Sequence, residues 1–268
     1  LEHLRAIPPF FAASSEVTRQ EFSTFVSPAL QRHRGIYTFE FLPRVPADRV
    51  DVFERAAQAA GFDNFVIRTV DVDGNDVPLK MQDAYFPIYF GEPAIQRVVG
   101  IDLRSHPEQG RYIERACSAM GPVATHPLSL IEDADDILSV IAFIAVRFEP
   151  TRRDEECDGI AMLILRIRPV VEEAVGATRL ADFAISLRDP DASGSRQLVH
   201  RNYLAEDGNA RDKKGLAAKH EIRFADQTWH LSVAPAAGST FAPGNAPYWI
   251  LATGLILSLL AAYSVSAK

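Results

Sequence analysis

Residues 85–125 constrain this chain more than any other stretch. They open as Tyr85-Phe86-Pro87-Ile88-Tyr89-Phe90-Gly91-Glu92-Pro93 and end as Gly121-Pro122-Val123-Ala124-Thr125, with His126-Pro127-Leu128 following. Between them, Ile95, Arg97, Val99, Ile101 and Leu103 alternate with Gln96, Val98, Gly100 and Asp102, a period of two that predicts a strand over 95–103. Ser105-His106-Pro107-Glu108 then reads as a capping box, with proline in a first helical turn. Tyr112, Ala116, Ala119 and Met120 recur at helical spacing, and Gly121 supplies a stop. Asp102 thus falls at a strand end just before a helix. Two readings of it stay open: an edge or capping carboxylate, and a polar anchor in a small-molecule pocket where Gly100 leaves space for ligand.

The rest of the chain divides around this stretch. Residues 1–34 read mostly as helix, interrupted at Pro8-Pro9, with Ser14 or Ser15 as a cap and Phe22, Phe25, Val26, Ala29 and Leu30 as an apolar stripe. A strand is expected over 36–42, with Thr38 and Glu40 facing away from Tyr37, Phe39 and Phe41. A helix over 47–60 with Val50, Phe53, Ala57 and Ala60 inward, and a strand over 65–72, follow. Residues 71–76 resemble a calcium loop only superficially: Gln82 stands where a bidentate Glu is needed, so an Asp-Gly hairpin turn fits better. Residues 137–146 are nearly all apolar, as in a strand buried on both faces. Residues 149–158 read as a charged linker. Beyond them lie a strand over 159–165, a short helix over 169–175, and short strands over 183–188, 197–200, 220–224 and 228–233. Residues 189–195 and 207–215 read as polar loops. The layout is α+β in two units, 35–150 and 151–238.

Composition narrows the function classes. A net charge of −7 with no basic stripe argues against nucleic acid as a partner. Cys117 and Cys157 are too few for a disulfide framework or a zinc site. They can form one bridge in an oxidising compartment, or Cys117 can be a small buried apolar residue. Residues 249–265 carry no charge and are rich in Leu, Ile and Ala, which fits a minimal membrane span with Tyr248, Trp249 and Tyr263 at its interfaces. Residues 239–268 are therefore expected to be a tether and a C-terminal transmembrane helix, with both chain ends lying inside a longer inner-membrane protein. No nucleophile elbow, phosphate loop, dinucleotide glycine pattern or histidine pair with metal-ligand spacing is visible. The reading is of a sensor region rather than an enzyme, with no cofactor expected.

The string Tyr-Phe-Pro-Ile-Tyr, then Val99-Gly100-Ile101-Asp102-Leu103-Arg104-Ser105, an Arg-rich helix ending at Gly121, and Thr125-His126-Pro127-Leu128-Ser129-Leu130-Ile131 together resemble a CHASE domain. This is the extracytoplasmic sensor module of plant cytokinin receptors and of bacterial sensor kinases and cyclases. The resemblance runs from about Phe10 to Val146. It implies a long N-terminal stalk helix that dimerises, a membrane-distal PAS-like domain with a ligand pocket on the concave face of its sheet, and a PAS-like proximal domain. It implies Asp102 as the ligand's polar anchor, the backbone of Ala124 as a second contact, and Tyr85, Phe86, Val98, Gly100, Leu128 and Ala142 as pocket walls. An ionised carboxylate accepts hydrogen bonds, which suits the N–H groups of an adenine-type ligand. The family strand Phe-Pro-Val-Tyr is replaced here by Ala142-Phe143-Ile144-Ala145-Val146. The implied ligand is thus a cytokinin-like adenine derivative or another small apolar or amphipathic effector. A periplasmic sensor of a histidine kinase, or of a diguanylate cyclase, is the leading expectation. A structural or partner-binding dimer module without a small ligand is the alternative.

Overall fold

In a computed structural model of the chain, the structure describes residues 1–14, 16–71, 74–130, 137–148, 156–175, 183–192, 194–201 and 218–235. The elements in order are helices α1 (Glu2–Arg5), α2 (Ile7–Ala12) and α3 (Arg19–Arg32), strands β1 (Ile36–Pro43) and β2 (Val45–Pro46), and helix α4 (Val50–Ala59). Strands β3 (Thr69–Val70), β4 (Asp76–Val77), β5 (Ala84–Tyr85) and β6 (Phe90–Glu92) lead to helix α5 (Gly110–Ser118). Then come β7 (Val123–Ala124), β8 (Leu128–Ser129), β9 (Leu138–Val146), β10 (Gly159–Arg166) and helix α6 (Ile167–Val175). Strands β11 (Phe183–Arg188), β12 (Leu198–Arg201), β13 (Ala218–Phe224) and β14 (Gln227–Pro235) complete the described chain.

The principal sheet has six antiparallel strands in the order β6-β1-β10-β9-β7, with β8 also paired to β9. Its side chains sort by parity, as the pleat requires. Leu42, Ile141, Phe143, Ala145, Ile160, Met162 and Ile164 enter one core with α5. Phe39, Phe41, Ala142, Val146, Ala161 and Leu163 enter a second core, under the N-terminal helices. The continuous apolar run at 137–146 is β9, buried on both faces. Because β10 lies between β1 and β9, this sheet continues to Arg166, beyond the break expected at residue 150.

The expected long stalk helix is replaced by three short ones. α3 has 14 residues, about 21 Å of helix. Thr18, rather than Ser14 or Ser15, caps it, in a reciprocal pair with Glu21. Phe22, Val26 and Ala29 face the sheet, while Phe25 is exposed and stacks on Phe10 at 4.3 Å. Glu40 and Thr38 are not turned to solvent as alternation suggested: both are buried, because β1 has a core on each side. The hairpin at 71–76 is present, with β3 paired to β4, Gly74 at φ 82° and Gly74 N–H donating to the Asp71 carbonyl. The strand expected over 65–72 contracts to β3.

The second sheet, β12-β11-β14-β13, packs its Ile185, Leu187, Trp229 and Leu231 against Ala124, Val140 and Ile167. The Asp207 loop and the tether and membrane span expected over 239–268 lie outside the described residues. Among the described residues, no helix is long and apolar enough to cross a membrane.

A disulfide joins Cys117 at the end of α5 to Cys157 just before β10, with the Cα atoms 5.2 Å apart and 40 residues of sequence between them. Closing a loop of that length removes about 4 kcal/mol of chain entropy from the unfolded state. A Cys117→Ser/Cys157→Ser double variant should lose about 3–4 kcal/mol in denaturant unfolding. A variant as stable as the parent would show that the bridge does not form or does not constrain the unfolded chain.

Candidate functional site

A cavity of about 190 Å³ lies on the α5 side of the principal sheet. Ile141, Met162 and Ile164 form its floor, and Val70, Ile88, Ile101 and Leu103 form a wall. Val98, Leu128 and Leu130 close the apolar part. Its polar groups are Glu40 from β1, Ser129 from β8, and His106, Glu108 and Gln109 from the approach to α5. Glu40 is only 2% exposed.

The approach to α5 departs from the capping box read in the sequence. α5 begins at Gly110, with Gln109 at its N-cap position and no side-chain cap. The His106 ring takes over that work: its Nδ1 accepts the backbone N–H groups of Glu108 (3.2 Å) and Gln109 (3.3 Å). The neutral ring therefore carries its proton on Nε2, which makes no hydrogen bond among the described residues. Burial pushes the imidazole below its ordinary pKa, against a smaller opposing pull from Glu108. The uncharged ring's contribution to stability is thus full above the unfolded-state value of about 6.5 and falls away below it. Along α5 the buried stripe is Tyr112, Ile113, Ala116 and Cys117, whereas Met120, past the helix end, is fully exposed.

Residues 95–103 form two structures rather than one strand. Gln96–Val98 is a 3₁₀ turn. Residues 100–103 then run extended between two neighbours. Ile88 N–H donates to Ile101 O at 3.0 Å and Gly100 N–H to Ile88 O at 2.8 Å, while Asp102 N–H donates to Arg68 O at 2.8 Å. Gly100 sits at φ +83°, and a methyl there would run into the Val66 carbonyl oxygen. Its glycine serves this backbone crossing.

The eight residues expected around one pocket are distributed as follows. Val98 and Leu128 line the cavity. Phe86 is in the core beside it. Tyr85 belongs to a separate cluster under α4 and donates its hydroxyl to Lys80 O at 3.2 Å. Ala142 points to the opposite face of the sheet, as the parity of β9 dictates. Ala124 is engaged by the second unit: its N–H donates to Asp226 Oδ1 at 2.8 Å, and its carbonyl accepts from Gln227 Nε2 at 3.0 Å. Arg115 pairs with the same Asp226. Glu40 and His106 went unrecognised in the sequence. Glu40 looked like the solvent side of an alternating strand, and His106 like a filler in a capping box.

Asp102 is fully buried and surrounded by the protein's own donors. Its carboxylate accepts Phe86 N–H at 2.6 Å, Ser105 N–H at 3.0 Å, the Ser105 hydroxyl and Gln82 Nε2 at 3.2 Å. These bonds join β5, the extended stretch 100–103 and the approach to α5. Buried donors that lose their acceptor cost about 1–3 kcal/mol each. Asp102→Ala should therefore destabilise the chain by about 3 kcal/mol or more in denaturant unfolding, since two buried N–H groups lose their acceptor. A loss under about 0.5 kcal/mol would show that water replaces the carboxylate.

Comparison with known proteins places the chain. No curated protein matches it. Among solved structures, the ligand-binding domain of the Pseudomonas aeruginosa PAO1 amino acid chemoreceptor PctC in complex with GABA is similar at 11% identity and a TM-score of 0.43, over 86% of this chain and 87% of that one. A likeness that faint transfers neither fold nor ligand. The CHASE domain profile matches residues 15–200, well over half of the sequence. The order of strands, the crossing at 100–103 and α5 all fall within that span, and the chain belongs to the CHASE domain family of extracytoplasmic sensor modules.

Proposed function

We propose that this chain is the small-molecule sensing region of a membrane-anchored receptor, with the ligand seated in the cavity against β1, β9 and β10. The observation that supports it is an apolar-walled cavity with buried Glu40 and His106 converging on it, in a chain of a sensor family. In this reading Glu40 and His106 contact the ligand, and Asp102 supports the backbone that carries His106. Val98 and Leu128 form part of the apolar wall. Ligand binding shifts a two-state equilibrium of a homodimer formed through the N-terminal helices, and residues 249–265 carry the change across the inner membrane. The output is a histidine kinase, with a diguanylate cyclase as the second choice.

A second reading, a structural or partner-binding module, draws on the saturation of Asp102 and on a cavity smaller than the roughly 300–1,000 Å³ typical of ligand sites. Thermal unfolding against a library of metabolites, adenine derivatives included, separates the two. A ligand held at a hundred times its dissociation constant should add about 2.7 kcal/mol, a shift of a few degrees. The shift should vanish in Val98→Phe, which fills the cavity from its 3₁₀ rim without touching the sheet. If no metabolite moves the midpoint, or if Val98→Phe leaves the shift intact, the cavity is not the sensor site.

A further inference from the structure

The lining of the cavity says more about its occupant than its size does. Among the described residues, no Phe, Tyr or Trp lines it; the apolar wall is Val, Ile, Leu and Met throughout. A flat purine ring gains much of its affinity by stacking on aromatic faces, and this wall offers none. The polar groups set a second condition. Glu40, on β1, is 2% exposed and faces the cavity. An ionised carboxylate in such a wall favours a cation or an N–H donor and repels carboxylates and phosphates. His106 sets a third. With Nδ1 committed to the backbone N–H groups of Glu108 and Gln109, it presents Nε2–H as a donor and adds no positive charge that would favour an anion.

On the reading of this cavity as the sensor site, we propose that it takes a compact aliphatic amine. The ammonium or amine N–H meets the Glu40 carboxylate, a short or branched hydrocarbon body lies on Ile141, Met162 and Ile164, and any acceptor on the ligand meets His106 Nε2–H. A volume of about 190 Å³ suits a metabolite of this kind better than a substituted purine.

The test uses the whole chain in detergent micelles with labelled Ile and Met methyl groups, because Ile88, Ile101, Ile141, Met162 and Ile164 report the cavity directly. Four probes are titrated: 3-methylbutylamine, 3-methylbutanol, 3-methylbutanoate and adenine. The amine should move the cavity methyls at a concentration about tenfold below the alcohol, the difference a single charge pair makes. The carboxylate and adenine should leave them in place. Glu40→Gln, whose unliganded methyl spectrum reports its fold, should abolish the preference of amine over alcohol while leaving alcohol binding within about twofold. If adenine or the carboxylate moves these methyls as strongly as the amine, the cavity is a ligand site but the amine class is overturned. If none of the four moves them, the amine class again falls, and the sensor reading is then judged separately by the metabolite screen and the Val98→Phe variant. An amine preference that survives Glu40→Gln overturns the role of Glu40.

Discussion

The antiparallel pairing of β1, β10 and β9 is the constraint on which everything else rests. Each of these strands is buried on both faces, so each residue belongs to one of two cores by parity alone. A slip of one residue would send Phe39, Phe41 and Leu163 into the cavity and Ile141, Met162 and Ile164 under the helices. The register is held from several sides at once. The Cys117–Cys157 bridge ties α5 to the entrance of β10, and Asp158 N–H donates to Val146 O at 2.9 Å where β9 ends and β10 begins. The cavity exists because this fixed floor meets loop segments, not a second sheet, on its α5 side.

Much of this was legible in the sequence. The apolar run at 137–146 could only be a strand covered on both sides, and the helical spacing of Tyr112 and Ala116 located α5. The Asp-Gly pattern at 73–74 gave the hairpin. The second unit's strands also followed from short apolar runs between polar turns, with ends displaced by a residue or two, as strand ends usually are. The sensor family was readable from several short strings in a fixed order.

The site was harder, for physical reasons. Alternation tells which side chains share a face but not what covers that face. Glu40 therefore read as solvated, although its side of β1 is roofed by residues far along the chain. At 95–103 the period of two was genuine only from Gly100 onward, where the neighbours at 68 and 86–88 supply hydrogen bonds. The 3₁₀ turn before it carries the same pattern without them. Asp102 illustrates the general difficulty: a buried carboxylate needs donors, and sequence cannot say whether a ligand or the chain supplies them. Here Phe86, Ser105 and Gln82 do so. Asp189 is similar. It sat in an expected polar loop, yet it is fully buried and accepts from Asp191 N–H at 3.0 Å, with His126 Nδ1 at 2.8 Å from its other oxygen.

The hydrogen bonds at Ala124 have a consequence for solubility. A six-stranded sheet has two margins, and a bare margin invites strands of other molecules to add on. On the β7 side, the outward N–H and carbonyl of Ala124 are consumed by Asp226 and Gln227 at the β13–β14 turn. On the other side, β6 is three residues long and is followed by Pro93, which has no N–H to offer. The second unit thus acts as an end-stop as well as a neighbour, and the sheet is sealed against edge-to-edge growth between copies of the chain.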